Sequence, residues 1–404
     1  MVEPGRAPAS EEHRRESVVR VEKMKRLQIK PRPNWQAEVE RLGLAFHTPE
    51  GHPYWDESAC YRFSAREIDQ LEAATEELQR LCLEAGQFII DNDRFDDFHI
   101  PAAARSLIRD AWEKEPPSIY GRFDLMYNGN SPPKLLEYNA NTPTSLLEAS
   151  VIQWYWHLDK MPGTDQFNSI HDKLIAQWRE ILPYIKGDRL HFTAMNNAED
   201  LTTITYLRDT AQQGGIETSA LAIDQIGWNE RAREFRDLAE RRIESIFSLY
   251  PWEWLLKDFP GPLIEECPNM IWIEPIWKMM WSNKALLAVL WEMFPGHPNL
   301  LETYLDGPHG LAEFVKKPRL SREGANITLH TRNSEVSTPG PYGKAFGKES
   351  YVYQALGPWS SFDGMHPVLG SWYVTDQGAA GIGIRESEGP ITDNLSRFVP
   401  HFFD

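Results

Sequence analysis

Cysteine is nearly missing from this chain of 404 residues: Cys60, Cys82 and Cys267 are its only three, far apart and without metal-ligand spacing. That excludes a disulfide framework and a C-x-x-C motif, and it fits a reducing compartment such as the cytoplasm. Basic charge is in deficit. With 42 Lys and Arg against 59 Asp and Glu the net charge is -17, which argues against binding nucleic acid through phosphate neutralisation. No long apolar run occurs either. The most apolar window, 270–294, is interrupted by Glu274, Pro275, Lys278, Asn283, Lys284 and Glu292, so buried strand and helix are expected there rather than a membrane span. The charged N-terminus carries no apolar segment, so no signal peptide is expected. Familiar catalytic signatures are missing as well: no G-x-x-x-x-G-K-[ST], H-E-x-x-H or G-x-S-x-G occurs, and no G-x-G-x-x-G follows the strand at 189–195.

What remains is an ordinary globular composition, 41% hydrophobic and 25% charged, long enough for two or three lobes around a large core. Residues 1–23, with Pro4, Pro8 and a mixed Glu/Arg run, read as a disordered extension ahead of a folded unit over 24–404. The segment 35–61 is aromatic without clear periodicity. Ser64 and Glu67 form a capping box, and Ile68, Leu71, Leu78, Leu81 and Ile89 make an apolar stripe that predicts a helix to about Asp91. Pro101 opens another helix over 102–114, stopped by Pro116 and Pro117. Helices are expected over 146–158, 166–182 and 281–293. The order strand 189–195, helix 200–213, strand 217–223 predicts a small parallel α/β lobe. Further strands are expected at 271–276, 314–318 and 351–356, with a hairpin of 370–374 and 380–385 around Thr375, Asp376, Gln377 and Gly378.

The stretch 121–148, GRFDLMYNGNSPPKLLEYNANTPTSLLE, organises the rest. It reads as strands 122–127 and 134–139 joined by a turn with Asn128-Gly129, a strong hairpin signal. Residues two apart share a strand face, so Arg122 with Asp124, and Glu137 with Asn139, project together. If register joins those faces, two carboxylates, an amide oxygen and a guanidinium converge. Hard oxygen ligands of this kind suit Mg²⁺, which completes its shell with water and phosphate oxygens; the alternative is an ordinary hairpin with its polar face in solvent. Asn141, Thr142, Thr144 and Ser145 then open a helix, whose free N–H groups and hydroxyls can meet an anion.

Basic candidates are fewer. Lys317 ends a strand just before the loop Pro318–Gly324, which could fold over phosphates; taken alone, Lys316-Lys317 reads as solvated surface charge. Lys284 and Arg322 stand in similar settings. Arg385 ends a glycine-rich strand, where it could clamp an anion or pair with Glu386 or Glu388.

Five ordered blocks, RFDLMYNGNSPPKLLEYNANTPTSLLE, NKALLAVLWEMFPGHP, FVKKPRLSREGANI, YVYQALGPW and GSWYVTDQGAAGIGIRES, resemble the glutathionylspermidine synthase family over about 24–404. The likeness is greatest to its stand-alone bacterial members, taken to be acid–amine ligases. The resemblance implies an ATP-grasp fold with a small preceding parallel lobe, and an ATP-dependent ligase that joins a small-molecule acid, peptide-like in the relatives' manner, to an amine such as a polyamine. It implies Mg²⁺ held by Asp124, Glu137 and Asn139, and ATP phosphates met by Lys284, Lys317 and the loop residue Arg322. It also implies adenine held at the hinge Gln354, Ala355 and Leu356, and an acid substrate held by Arg122, Thr142, Thr144 and Arg385, with Arg122 also at the transferring phosphoryl group. Thr142 and Thr144 replace serines of the glutathionylspermidine enzyme, and nothing in the chain resembles that enzyme's Cys/His amidase. Two other readings stay open: glutathionylspermidine synthase itself, and a non-catalytic nucleotide-binding protein of the same fold.

Overall fold

The computed structural model describes residues 23–345, 348–393 and 396–404. The extension expected over 1–23 therefore lies, but for Lys23, outside the described residues. The hairpin strands Tyr120–Met126 and Lys134–Asn139 form one edge of a five-stranded antiparallel sheet. It continues through His366–Val374 and Gly378–Ser387 to Arg397–Val399. Phe123, Leu125, Leu135 and Tyr138 alternate with the polar residues and are buried. They turn one face of the hairpin into the core, each contributing roughly 1.5–3 kcal/mol by burial. Phe123 stacks on Tyr138 at 3.8 Å, and the Tyr138 hydroxyl donates to Gln79 Oε1 (3.0 Å). Gln79 belongs to the helix Ala65–Asp91, whose Ser64–Glu67 capping box forms as expected.

A second antiparallel sheet faces the first, with Tyr351–Ala355 between Thr303–Tyr304 and Phe314–Pro318, followed by Thr328–His330 and Glu335–Ser337. The expected parallel lobe is present and has four strands: Ile271–Ile273, Ser245–Leu249, Leu190–Ala194 and Thr218–Ala222. Helix Ala198–Gln213 crosses over between the last two in the chain order predicted. Buried Glu274 ties this lobe to the hairpin: it accepts from the Ile119 and Tyr120 amides (3.0 and 3.2 Å) and from Ser118 Oγ (2.8 Å). Lys278 pairs with it and donates to the Tyr120 carbonyl at 2.7 Å.

Three helices differ from the sequence expectation. The run at 166–182 becomes helical only at Ile170, because Gln166, Asn168 and Ser169 are spent on other strands; Gln166 Nε2 donates to the Gln153 and His401 carbonyls, and the Ser169 amide to Ala380. The run at 146–158 contains a wide, π-type turn at Glu148–Ile152, where Ser150 Oγ and Gln153 Nε2 bond the Leu146 and Ala149 carbonyls. The run at 281–293 becomes helical only at Ala285, after a separate short helix Lys278–Trp281, since Asn283 Oδ1 accepts from the Ala285 amide and Lys284 N–H donates to the Arg319 carbonyl. Among the described residues no helix is long and apolar enough to cross a membrane.

Candidate functional site

Register brings the two polar faces of the hairpin together: Arg122 stands opposite Asn139, and Asp124 opposite Glu137. The Arg122 fork grips Asp124, Nε to Oδ1 at 2.6 Å and Nη2 to Oδ2 at 3.0 Å, while Nη1 donates to the Thr144 carbonyl at 2.7 Å. Asn139 Nδ2 donates to both carboxylates, Asp124 Oδ2 at 3.1 Å and Glu137 Oε1 at 3.2 Å. The pairing slips by one residue after Asp124, a bulge of the sort that re-aims side chains beside active sites.

Two lysines approach from outside this sheet. Lys284, just before Ala285–Met293, places Nζ 2.9 Å from Glu137 Oε2 and donates to the Ser321 carbonyl at 3.0 Å. Lys317, in the facing sheet, donates to the Leu136 carbonyl (3.0 Å) and to Gln354 Oε1 (2.7 Å). The surface position expected from the Lys316-Lys317 pair alone is corrected here: Lys317 is only 6% exposed, while Lys316 lies on the Tyr351 ring. Burial opposes the Glu137 carboxylate, but Lys284 and Lys317 outweigh it and hold its pKa at about 2. Burial pushes Lys317 down to about 8, against the pull of Glu137. Asp124 is raised by burial despite Arg122.

One cavity between the sheets is lined by Arg122, Asp124, Glu137, Asn139, Thr142, Thr144, Lys317, Arg322, Gln354, Ala355, Leu356 and Arg385. Lys284 faces an adjoining hollow that shares Glu137, Asn139, Thr142 and Arg322. Arg322 Nη1 donates to Thr142 Oγ1 (3.0 Å), and its guanidinium lies 5.0 Å over Trp254. The Ala355 and Leu356 amides donate to the Glu302 and Glu313 carbonyls, at 2.7 and 3.2 Å. Arg385 does not pair with either neighbouring glutamate. Glu386 is buried against Arg26 and the Tyr61 hydroxyl, and Glu388 pairs with Arg397. Arg385 instead donates to the Asp393 carbonyl, and its buried Nε has no partner among the described residues.

Three acidic residues near this cavity escaped the sequence reading. Glu199 and Asp200 line it from the start of helix Ala198–Gln213, and burial raises Asp200 to about 6. The only local signal was a capping one, since Asn197 Oδ1 accepts from the Asp200 amide. Buried Glu148 accepts from the Tyr54 hydroxyl (2.7 Å), which also bonds Ser145 Oγ (3.0 Å). Burial pushes Glu148 up to about 7.

Two carboxylates beside an amide are a donor set that fits Mg²⁺ once Asn139 turns its Oδ1 inward in place of the Nδ2 that now bonds both carboxylates, and the raised pKa of Asp124 marks buried negative charge that a cation would stabilise. Among the described residues no group of three or more His, Cys, Asp or Glu could hold a metal, so an ion here would rely on water or phosphate oxygens for the rest of its shell.

Antiparallel sheets enclosing a cavity beside a parallel lobe define an α/β fold of the glutathione synthetase type. A solved structure of a glutathione synthetase-like effector from Globodera pallida shares it, with a TM-score of 0.55 at 9% identity over 92% of this chain and 96% of that one. The chain belongs to the glutathionylspermidine synthase preATP-grasp family, which matches residues 26–404. A Haemophilus influenzae protein named "Putative acid–amine ligase" is 39% identical over 92% of this chain and 97% of its own length. The trypanothione synthetase of Crithidia fasciculata is 28% identical over 78% of this chain. The bifunctional glutathionylspermidine synthetase/amidase of Escherichia coli is 24% identical over 82% of it. The chain spans 51% and 57% of the length of those two longer relatives.

Proposed function

We propose that this protein is an ATP-dependent carboxylate–amine ligase. The observation that carries the reading is the convergence of Asp124, Glu137 and Asn139 with Lys317 and Arg122 at one cavity between two sheets, with Lys284 reaching Glu137 from the adjoining hollow. The named ligases among its relatives support it.

A carboxylate and an amine do not condense in water unless the acyl group is activated. In this reading a carboxylate oxygen of the acid attacks the ATP γ-phosphorus, the bond to the β-phosphate oxygen breaks, and ADP leaves. The amine nitrogen then attacks the acyl-phosphate carbon, orthophosphate departs, and the nitrogen loses a proton. The first step brings anions together, so charge must be neutralised in place. Lys284 and Lys317 would meet the nucleotide phosphates, with Arg322 over them, and Arg122 would face the transferring group. Asp124, Glu137 and Asn139 would hold Mg²⁺, which when bound offsets phosphate charge. Thr142, Thr144 and Arg385 would bind the acid, and the Ala355–Leu356 hinge the adenine. Glu199 and Asp200 would supply the negative charge that a cationic amine needs, and Asp200 with its raised pKa suits proton acceptance.

The test is ADP release from Mg-ATP across a panel of acids crossed with amines, including glutathione with spermidine, followed by mass spectrometry. Acid-and-amine-dependent ADP, with a product lighter by one water than the sum of the pair, is expected. ATP binding with no ADP from any pair would overturn the catalytic reading.

A further inference from the structure

Gln354 occupies an interior strand of the second sheet, paired with Val315 on one side and Thr303 on the other, and it is 1% exposed. Both ends of its amide are engaged. Oε1 accepts from Lys317 Nζ at 2.7 Å, and Nε2 donates to the Leu135 carbonyl at 3.1 Å. These partners fix which end is which, because an ammonium can only donate and a carbonyl can only accept; the flipped amide would lose both bonds.

Lys317 has three N–H groups. One goes to Gln354 and one to the Leu136 carbonyl at 3.0 Å, which leaves the third for the cavity that Lys317 lines. Gln354 and Lys317 belong to one sheet, and Leu135 and Leu136 to the hairpin of the other. The amide thus clamps a lysine of one sheet to the strand that carries Glu137.

We propose that Gln354 is the positioning residue of Lys317: its side-chain amide fixes the ammonium against the hairpin so that the remaining N–H meets the nucleotide phosphates, and it does not read the adenine base. This rests on the cavity being an ATP site. A neutral acceptor suits the task. Burial already biases Lys317 toward losing its proton, and a carbonyl oxygen favours the charged form without cancelling its charge.

The experiment is calorimetric binding of ATP and of adenosine to the full chain, in Gln354→Met, Lys317→Met and the double variant. Gln354→Met should weaken ATP about tenfold, as expected for losing a hydrogen bond to a charged group, and leave adenosine within twofold. In the Lys317→Met background the same change should alter ATP affinity less than twofold. Should Gln354→Met fail to fold, Gln354→Glu serves: its carboxylate neutralises Lys317, so ATP is weakened and adenosine is not. Equal weakening of ATP and adenosine, or full additivity with Lys317→Met, would overturn the assignment while leaving the ATP site intact. Wild-type protein that binds neither ligand would overturn the ATP reading itself, and this assignment with it.

Discussion

Arg122 lies flat against Gly370 of the neighbouring strand, so closely that a Cβ built on Gly370 would sit 2.7 Å from Arg122 Cδ. The arginine cannot simply swing aside, because both edges of its fork are engaged by Asp124 and the Thr144 carbonyl. Gly370→Ala should therefore displace Arg122 rather than unfold the sheet. Ligation is expected to fall at least tenfold, while thermal unfolding moves by no more than a few degrees; steady-state kinetics beside a melting curve reads both.

If these side chains hold Mg²⁺ as proposed, Asp124→Asn and Glu137→Gln should each reduce ligation by about 100-fold or more. Their effects on stability should differ. Glu137 is the counter-charge for Lys284 and Lys317, and its loss leaves two buried cations short of it, whereas the ion pair of Asp124 is with Arg122. Denaturant unfolding should rank Glu137→Gln as the less stable of the two.

Lys317, held down at about 8 by burial, carries its charge below that pH and loses it above. The pH profile of kcat/KM for ATP reports the free enzyme and should fall as pH rises through about 8. Lys317→Arg keeps a charge at all pH, so that limb should vanish from its profile even though the overall rate is lower.

Glu148 makes the opposite kind of statement about stability. Burial raises it to about 7 from an ordinary 4.5, so the folded state holds this proton more tightly than the unfolded chain does. Its contribution is intact below pH 4.5, declines up to about 7 and stays lost above. Glu148→Gln keeps the acceptor for Tyr54 and cannot ionise, so it should melt within a degree of wild type at pH 4.5 and several degrees higher at pH 8. By linkage the gain is at most about 3 kcal/mol.

Lys278→Met removes the cation that pairs with fully buried Glu274 and the donor to Tyr120. An uncompensated carboxylate at the junction of lobe and hairpin should cost about 3–5 kcal/mol, visible as a lower midpoint in urea.

How far the sequence discloses this arrangement depends on distance along the chain. The two faces with Asp124 and Glu137 are legible, since a two-residue alternation and an Asn-Gly turn place both strands; the register that joins them is not, because it depends on the bulge after Asp124. The capping box at Ser64 and the stop at Pro116 are equally local. Strand Ser245–Leu249 is not legible: all five of its residues are buried in a parallel sheet, so no alternation marks it. Glu199 and Asp200 look like ordinary first-turn acids, and only the docking of the parallel lobe brings them to the cavity. Gln354 shows the same limit. Its pattern marks a strand, but the hydrogen bonds that give its amide a direction come from Lys317 on the paired strand and from Leu135 of the facing sheet.

The hairpin with the paired carboxylates finds its sheet neighbour, His366–Val374, about 240 residues further along the chain. Topology of this kind makes assembly slow, because the entropy of closing so long a loop is lost before the contacts it permits are gained. Until that neighbour arrives, one strand of the hairpin shows an unpaired backbone edge, and the polar face with Asp124 and Glu137 stands beside it. Pairing with another copy of the same edge would bring like carboxylates of the two copies together, so the residues suited to hold a metal also disfavour that contact.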